Sequence, residues 1–368
     1  YIEFTGAKSR MIAITELDIE HIDVEVINRR KISVKTALNL SCRVTQSLQL
    51  EAVKTFKEDA NVQTLKEKVR MMVSGGEGVG QTIIRDDFEI ADDMPSVVEV
   101  VKKNARARIT ETKAADNKVI AHGEIDIQLL YYSGEEQEAL VSLEQAIPFS
   151  HFVEIPGAYQ GMDSTANVSV QEFDVSIKPD INQENRILTV EIMISIEAGV
   201  FETHDYDVIV DAYSPGKILE LKRKPVYIQR MVGEYQAQAT VRESISFPDN
   251  VPAASKILYV EAKPVVADYS VNEGQVTIEG ILPINIFYQA EDSGIWVGSF
   301  KSEIPFSQRV EAPEIKENME CDCNLSVVHT AYTLLAPDEA EIRVTVATRV
   351  AVNETFEKEI LLEVEEAE

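Results

Sequence analysis

The chain has 368 residues, with 35 Lys and Arg against 63 Asp and Glu, a formal net charge of −28 and an isoelectric point near 4.6. That balance repels a nucleic-acid backbone or an anionic membrane surface and excludes a polyanion-binding role. No apolar run approaches the roughly 18 to 20 residues of a membrane span, and no basic-then-apolar leader opens the sequence. Cys42, Cys321 and Cys323 form no CxxC pair, which excludes a disulfide framework and favours a reducing compartment.

From Ala13 to Val44 the pattern predicts a two-stranded hairpin. Apolar residues alternate at Ile22, Val24 and Val26, and again at Ile32 and Val34, around a polar turn at Asn28-Arg29-Arg30. The connector that follows places Val62, Leu65, Val69 and Met72 at helical spacing. The segment that copies it, Leu221 to Arg242, has Pro225 where the helix interior would lie. A proline there costs about 3 kcal/mol, so both connectors are predicted to be extended. Next, Asp92 and Asp93 as caps, Pro95 in a first turn and apolar residues three to four apart predict a short helix over 95–105. Asp249, Asn250 and Pro252 predict its copy over 252–262.

Strands are predicted over 107–114, after a turn at Asp116-Asn117 over 118–133, and over 141–155. A second hairpin follows, its strands joined by a longer connection carrying Pro179, Asp180 and Asn182, and Pro215-Gly216 punctuates its end. A third hairpin turns at Pro337-Asp338. The last residues, EKEILLEVEEAE, read as an edge strand with an acidic, solvated tail.

The chain repeats itself. Ile147–Met162, IPFSHFVEIPGAYQGM, returns ungapped as Ile304–Met319, IPFSQRVEAPEIKENM, at an offset of 157 (304 − 147). Tyr1–Met11 overlies Phe152–Met162 at an offset of 151 (152 − 1), so the sequence opens inside a repeat. From Ile83 the second and third copies run together without insertion, pairing Arg85 with Arg242, Pro95 with Pro252, Gly123 with Gly280 and Tyr131 with Tyr288. The expected fold is mainly β: tandem β-sandwich-like repeats of about 150 residues, each with one short α-helix. Residues 1–57 are read as the C-terminal half of a first repeat. Residues 58–214 and 215–368 are read as the second and third, each with its connector.

Few groups invite chemistry. GGEGVGQT, Gly75 to Thr82, has the spacing of a phosphate-binding loop, but Gln81 stands where the lysine belongs and Glu77 adds negative charge, so it reads as a flexible connector. His21, His122, His151, His204 and His329 are scattered, and the counterpart of His151 is Gln308, which denies it a role common to both repeats. Cys321-x-Cys323 lacks further ligands. Asp86-Asp87 and Asp92-Asp93 lack a calcium-loop pattern and read as solvated acids or caps. No catalytic, cofactor-binding or metal residue is assigned. The candidate interaction or structural residues are those written twice: Pro148, Phe149, Ser150, Glu154 and Pro156, with Pro305, Phe306, Ser307, Glu311 and Pro313. Phe149 and Phe306 are expected to anchor the core, and Pro156 and Pro313 to end strands.

A GEIDIQLLYYS-type strand, then IPFSHFVEIPGAYQGM, then a hairpin like EHIDVEVINRRKISVKTALNLSCRV resembles the SPOCS domain. That domain occurs in a spore-coat morphogenesis protein of spore-forming Firmicutes and in its relatives. GEGVGQ and the following IIRDDFEI resemble the segment between SPOCS copies. The resemblance implies a non-enzymatic assembly role in the endospore envelope. Coat-morphogenesis members typically carry a C-terminal LysM module that engages the coat's basement-layer ATPase. No such module precedes Glu368, and only the class of function is carried over.

The expected function is therefore a non-enzymatic structural protein of the endospore envelope, a scaffold acting through tandem β domains. The alternative is a self-assembling filament or surface-layer subunit, joined by strand or edge complementation at the incomplete first repeat. An enzyme processing envelope polymers is the least favoured. Expected partners are other protein subunits, either copies of this chain as a homo-oligomer or polymer, or spore-envelope proteins, with no nucleic acid, cofactor or membrane span. The expected location is the spore envelope, or the mother-cell cytoplasm at the forespore surface; for the filament reading it is a cell or spore surface.

Overall fold

A computed structural model of the chain describes residues 5–9, 11–45, 51–57, 61–135, 139–290, 297–317 and 319–366. An N-terminal hairpin is formed by β1 (Ile12–Asn28) and β2 (Lys31–Thr45). The next strands are β3 (Gln63–Glu89), β4 (Glu99–Ala115), β5 (Lys118–Tyr132), β6 (Leu140–Glu154), β7 (Asp163–Pro179) and β8 (Asn185–Tyr213). The last are β9 (Leu219–Ser246), β10 (Ala254–Ala262), β11 (Val265–Asn272), β12 (Gln275–Ala290), β13 (Val297–Glu311), β14 (Glu320–Ala336) and β15 (Glu339–Glu366).

The chain divides into two compact units. One comprises Tyr1–Lys66, Val208–Lys224 and Glu359–Glu368, and the other Glu67–Asp207 and Pro225–Lys358. In the second unit the repeated sequence becomes two sandwiches. The earlier one has sheets ordered β4-β5-β6 and β3-β8-β7. In the later one, β12 pairs with β10 and β11 along one edge and with β13 along the other, opposite a sheet ordered β14-β15-β9. β5 and β12 start 157 residues apart (275 − 118), as do β6 and β13, and β7 and β14. The single strand β4 corresponds to β10 plus β11 because Pro264, which has no N–H for the ladder, occupies the place of Ala107.

Period-two patterning builds each core. Val119, Ala121, Ile125, Ile127, Leu129 and Tyr131 of β5 face Leu188, Val190, Ile192, Ile194 and Ile196 of β8 in one cluster, all at most 1% exposed. In the later sandwich Leu282, Ile284, Ile286 and Tyr288 of β12 meet Ala340, Ile342, Val344 and Val346 of β15. The connectors are extended: they form most of β3 and β9.

The two short helices are absent. No helix occurs among the described residues, and the segments read as helical enter β4 and β10. β-Bulges explain the misreading. β10 slips register between Ala254 and Lys256, and again between Ile257 and Tyr259. Each extra residue converts a spacing of two into three, so Ala254, Ile257 and Val260 reach one core at a spacing that imitates a helix. β4 slips likewise between Val100 and Lys102.

The first unit gathers Ile209 and Ala212 of β8, Leu219 and Leu221 of β9, and Leu361 and Val364 of β15 around Val53, Phe56 and Val62. Val53 N donates to Leu361 O at 3.0 Å. The C-terminal residues therefore do not form a separate edge strand. They continue β15 past Asn353, where its pairing with β14 ends, and Leu361 is fully buried. The acids alternate outward, where Glu363 and Glu366 pair with Lys222 and Lys217. The β1–β2 hairpin also falls in this unit.

Candidate functional site

The twice-written segment occupies β6 and β13 and the turns after them. Phe149 lies opposite Gly123 of β5, and Phe306 opposite Gly280 of β12. In each pair the ring covers the glycine. A Cβ on Gly280 would fall inside contact distance of the Phe306 ring, and one on Gly123 would also strike the Arg108 carbonyl oxygen. An aromatic ring over a strand glycine restores the contacts that the missing side chain forfeits, and both rings are less than 10% exposed. Pro148 and Pro305 precede them on edge strands, where a missing N–H is tolerated and further strand pairing is discouraged. Ser150 and Ser307 point away from the core, and Ser307 Oγ donates to Glu279 at 2.9 Å. Glu154 and Glu311 end their strands exposed.

Pro156 and Pro313 open a turn that clasps the neighbouring hairpin. Ala158 N donates to Ile155 O at 3.1 Å, with Pro156 second in the turn and Gly157 (φ 93°) third, a type II arrangement. Ile155 N then donates to Asn117 O at 3.0 Å, and Asn117 N to Ala158 O at 2.7 Å. The later repeat reproduces this with Ala312, Ile315 and Gly274: Ala312 N to Gly274 O at 2.9 Å, Gly274 N to Ile315 O at 3.2 Å, and Ile315 N to Ala312 O at 3.0 Å. The hairpin position needs positive φ, 57° at Asn117 and 79° at Gly274, which explains an Asn in one copy and a Gly in the other. Asn117 Oδ1 also accepts from Gly157 N at 3.0 Å.

The phosphate-loop-like glycines are neither a loop nor a flexible connector. They lie within β3, where Gly76, Gly78 and Gly80 let the backbone pass close to Val153, Glu154 and Ile155; a Cβ on Gly78 would stand 2.6 Å from Glu154 O. Cys321 and Cys323 sit half-buried on β14, and burial pushes the Cys323 thiol up to about 11, with Cys321 and Asp322 adding to the effect. His151 stacks on Phe152, and His204 pairs with Glu202. Among the described residues no three metal-ligating side chains come together.

The two sandwiches of the second unit meet through a joint that sequence reasoning missed. Leu130 and Leu140 pack with Leu258 and Tyr259 in a cluster of their own, flanked by Tyr132 and Phe287. Lys102 Nζ reaches Glu261 at 3.0 Å and lies 4.4 Å from the centre of the Phe287 ring. Tyr259 stands beside Asn104, and burial pushes its hydroxyl up to about 12. Tyr332 Oη lies 3.4 Å from Ser142 Oγ and donates to Leu258 O at 3.2 Å. Beside the joint runs a groove lined by Arg106, Asp126, Gln128, Glu144, Val327 and Thr330. Burial raises the Asp126 carboxyl there, with Arg108 opposing. One legible signal pointed to the joint: on β5 the odd-numbered residues fill the core, yet Leu130 is apolar on the opposite face.

These features define a tandem β-sandwich protein whose repeated residues hold the fold together. Residues 96–178 and 253–335 match the family model described as SipL, SPOCS domain. The two matched segments fall one in each sandwich, so each sandwich is similar to a SPOCS domain. Comparison with curated proteins and with solved structures gave no match.

Proposed function

We propose that this chain is a non-enzymatic structural protein of the endospore envelope, a scaffold that offers the sheet faces and edges of its SPOCS repeats to other protein subunits. The SPOCS domain points to a sporulation-related role. The observation that carries the scaffold reading is the joint around Leu258 and Tyr259, which makes one compact body of two sandwiches. Such a body is suited to spacing partners, because two ordered surfaces keep a constant separation. The twice-written rings and the phosphate-loop-like stretch support the same reading: Phe149 and Phe306 cover glycines, and the glycine-rich stretch is part of β3.

On this reading residues 58–214 and 215–368 are the two repeat modules, and residues 1–57 the C-terminal half of another. The protein acts at the forespore surface on the mother-cell side. A fluorescent fusion followed through sporulation, with thin-section microscopy of a deletion strain, tests this. A ring of fluorescence around the forespore and a coat defect restored by a Glu154→Gln, Glu311→Gln double variant are expected. Diffuse fluorescence with an intact coat overturns the proposal.

A further inference from the structure

We infer that the apolar face of the β1–β2 hairpin is a docking surface, and that its occupant is a three-stranded antiparallel sheet of the β4-β5-β6 kind. The hairpin matches β14–β15 position for position. Both turn over two residues, and one offset of 308 carries both strands (320 − 12 and 339 − 31). Val24 pairs with Val34 as Tyr332 pairs with Ile342. The bulges coincide as well: slips at Ile19/His21 and Val26/Asn28 fall on Val327/His329 and Leu334/Ala336.

Burial differs where geometry does not. Ile342 and Val346 are fully buried, with Leu325, Tyr332 and Leu334 packed beside them against β10, β12 and β13. Their counterparts on the hairpin lie open: Val34 is 61% exposed, Leu38 53%, Leu17 62% and Val26 72%. A contiguous apolar face of this kind marks a surface that has a partner. β15 also pairs with β9 along its second edge, whereas among the described residues β2 pairs with β1 alone.

The chain itself shows twice what covers such a face. In both sandwiches it is a sheet of three or more antiparallel strands whose inward residues alternate. A second copy of the hairpin is a poorer occupant, because a two-stranded sheet is narrower than the sheets that do this work and would leave open edges on both sides. The sequence correspondence extends upstream: Tyr1–Met11 repeats Phe152–Met162, which in the earlier sandwich is the end of β6 and the turn into β7. The inference rests on repeat equivalence and not on where the protein acts, so its failure leaves the envelope reading standing.

Fusing a copy of residues 63–151 directly before Tyr1 of the full chain supplies such a sheet. Expected results are at least tenfold slower amide exchange at Val34, Leu38 and Leu40, a several-fold fall in binding of an apolar fluorescent dye, and reversal of both by Leu38→Asp. Unchanged exchange and dye binding overturn the inference. So does an unfused chain that is dimeric and falls to monomer with Leu38→Asp, the signature of hairpins pairing with each other. Should the fusion fail to fold, the unfused Val34→Asp, Leu38→Asp variant decides. Lower dye binding at an unchanged unfolding temperature supports an open docking face, and a drop in unfolding temperature refutes it.

Discussion

Gly280→Ala tests the ring-over-glycine arrangement most directly. All three of the nearest atoms to the new Cβ belong to the Phe306 ring, so the methyl forces that ring from its place. Overpacking of this kind costs about 1–3 kcal/mol, which corresponds to a fall of roughly 2–12 °C in unfolding temperature for a unit of this size. Phe306→Ala alone forfeits the buried ring, at about 3–5 kcal/mol. In the double variant no ring remains to be displaced, so its cost should fall short of the sum by about the overpacking energy. The equivalent cycle at Gly123 and Phe149 has a different expected outcome. There the Arg108 carbonyl oxygen also blocks the methyl, and backbone cannot swing aside, so Gly123→Ala should cost more and Phe149→Ala should relieve it only in part. Calorimetry of the four single and two double variants provides the measurement. Additive costs at Gly280 and Phe306, or a Gly280→Ala protein as stable as the parent, would refute the reasoning.

The remaining predictions concern the joint, a carboxylate and a thiol. Leu258→Ala should cost about 2–5 kcal/mol and resolve the second unit's calorimetric transition into two, because Leu258 belongs to the cluster between the sandwiches and not to either core; a single transition merely shifted would count against a joint. Hydrogen bonds from Arg242 and Arg343 hold the Glu341 carboxyl below its ordinary 4.5. A depressed acid stabilises the fold above its unfolded pKa and loses that contribution as pH falls through the folded value. The stability gap between parent and Glu341→Gln should thus be full above about pH 4.5 and close beneath it; a gap that is constant with pH would contradict the pairing. With its thiol near 11 against an ordinary 9.0, Cys323 should alkylate roughly a hundredfold more slowly at pH 8 than a free thiol. Mass spectrometry should then find the rate rising about tenfold per pH unit up to pH 10, whereas rapid labelling at pH 8 would mean that the site is open.

What the sequence determined by itself was local or duplicated. Alternation at Ile22, Val24 and Val26, turns at Asn28-Arg29-Arg30 and Pro337-Asp338, and the ungapped return of IPFS after 157 residues needed only neighbouring positions or a second copy to be read. The same locality produced the error: over 252–262 a window of eleven residues cannot distinguish a bulged strand from a helix, since Ala254, Ile257 and Val260 carry the same spacing in both. Tertiary structure alone decided what each repeated residue is for. Phe306 meets Gly280 across a strand pair, Ala312 meets Gly274 through backbone atoms that carry no side-chain signature, and Leu130 meets Tyr259 across a boundary between repeats. These partners lie far apart along the chain, and the energy that joins them comes from burial and hydrogen bonding once the sheets are stacked, so no pattern within one segment announces it.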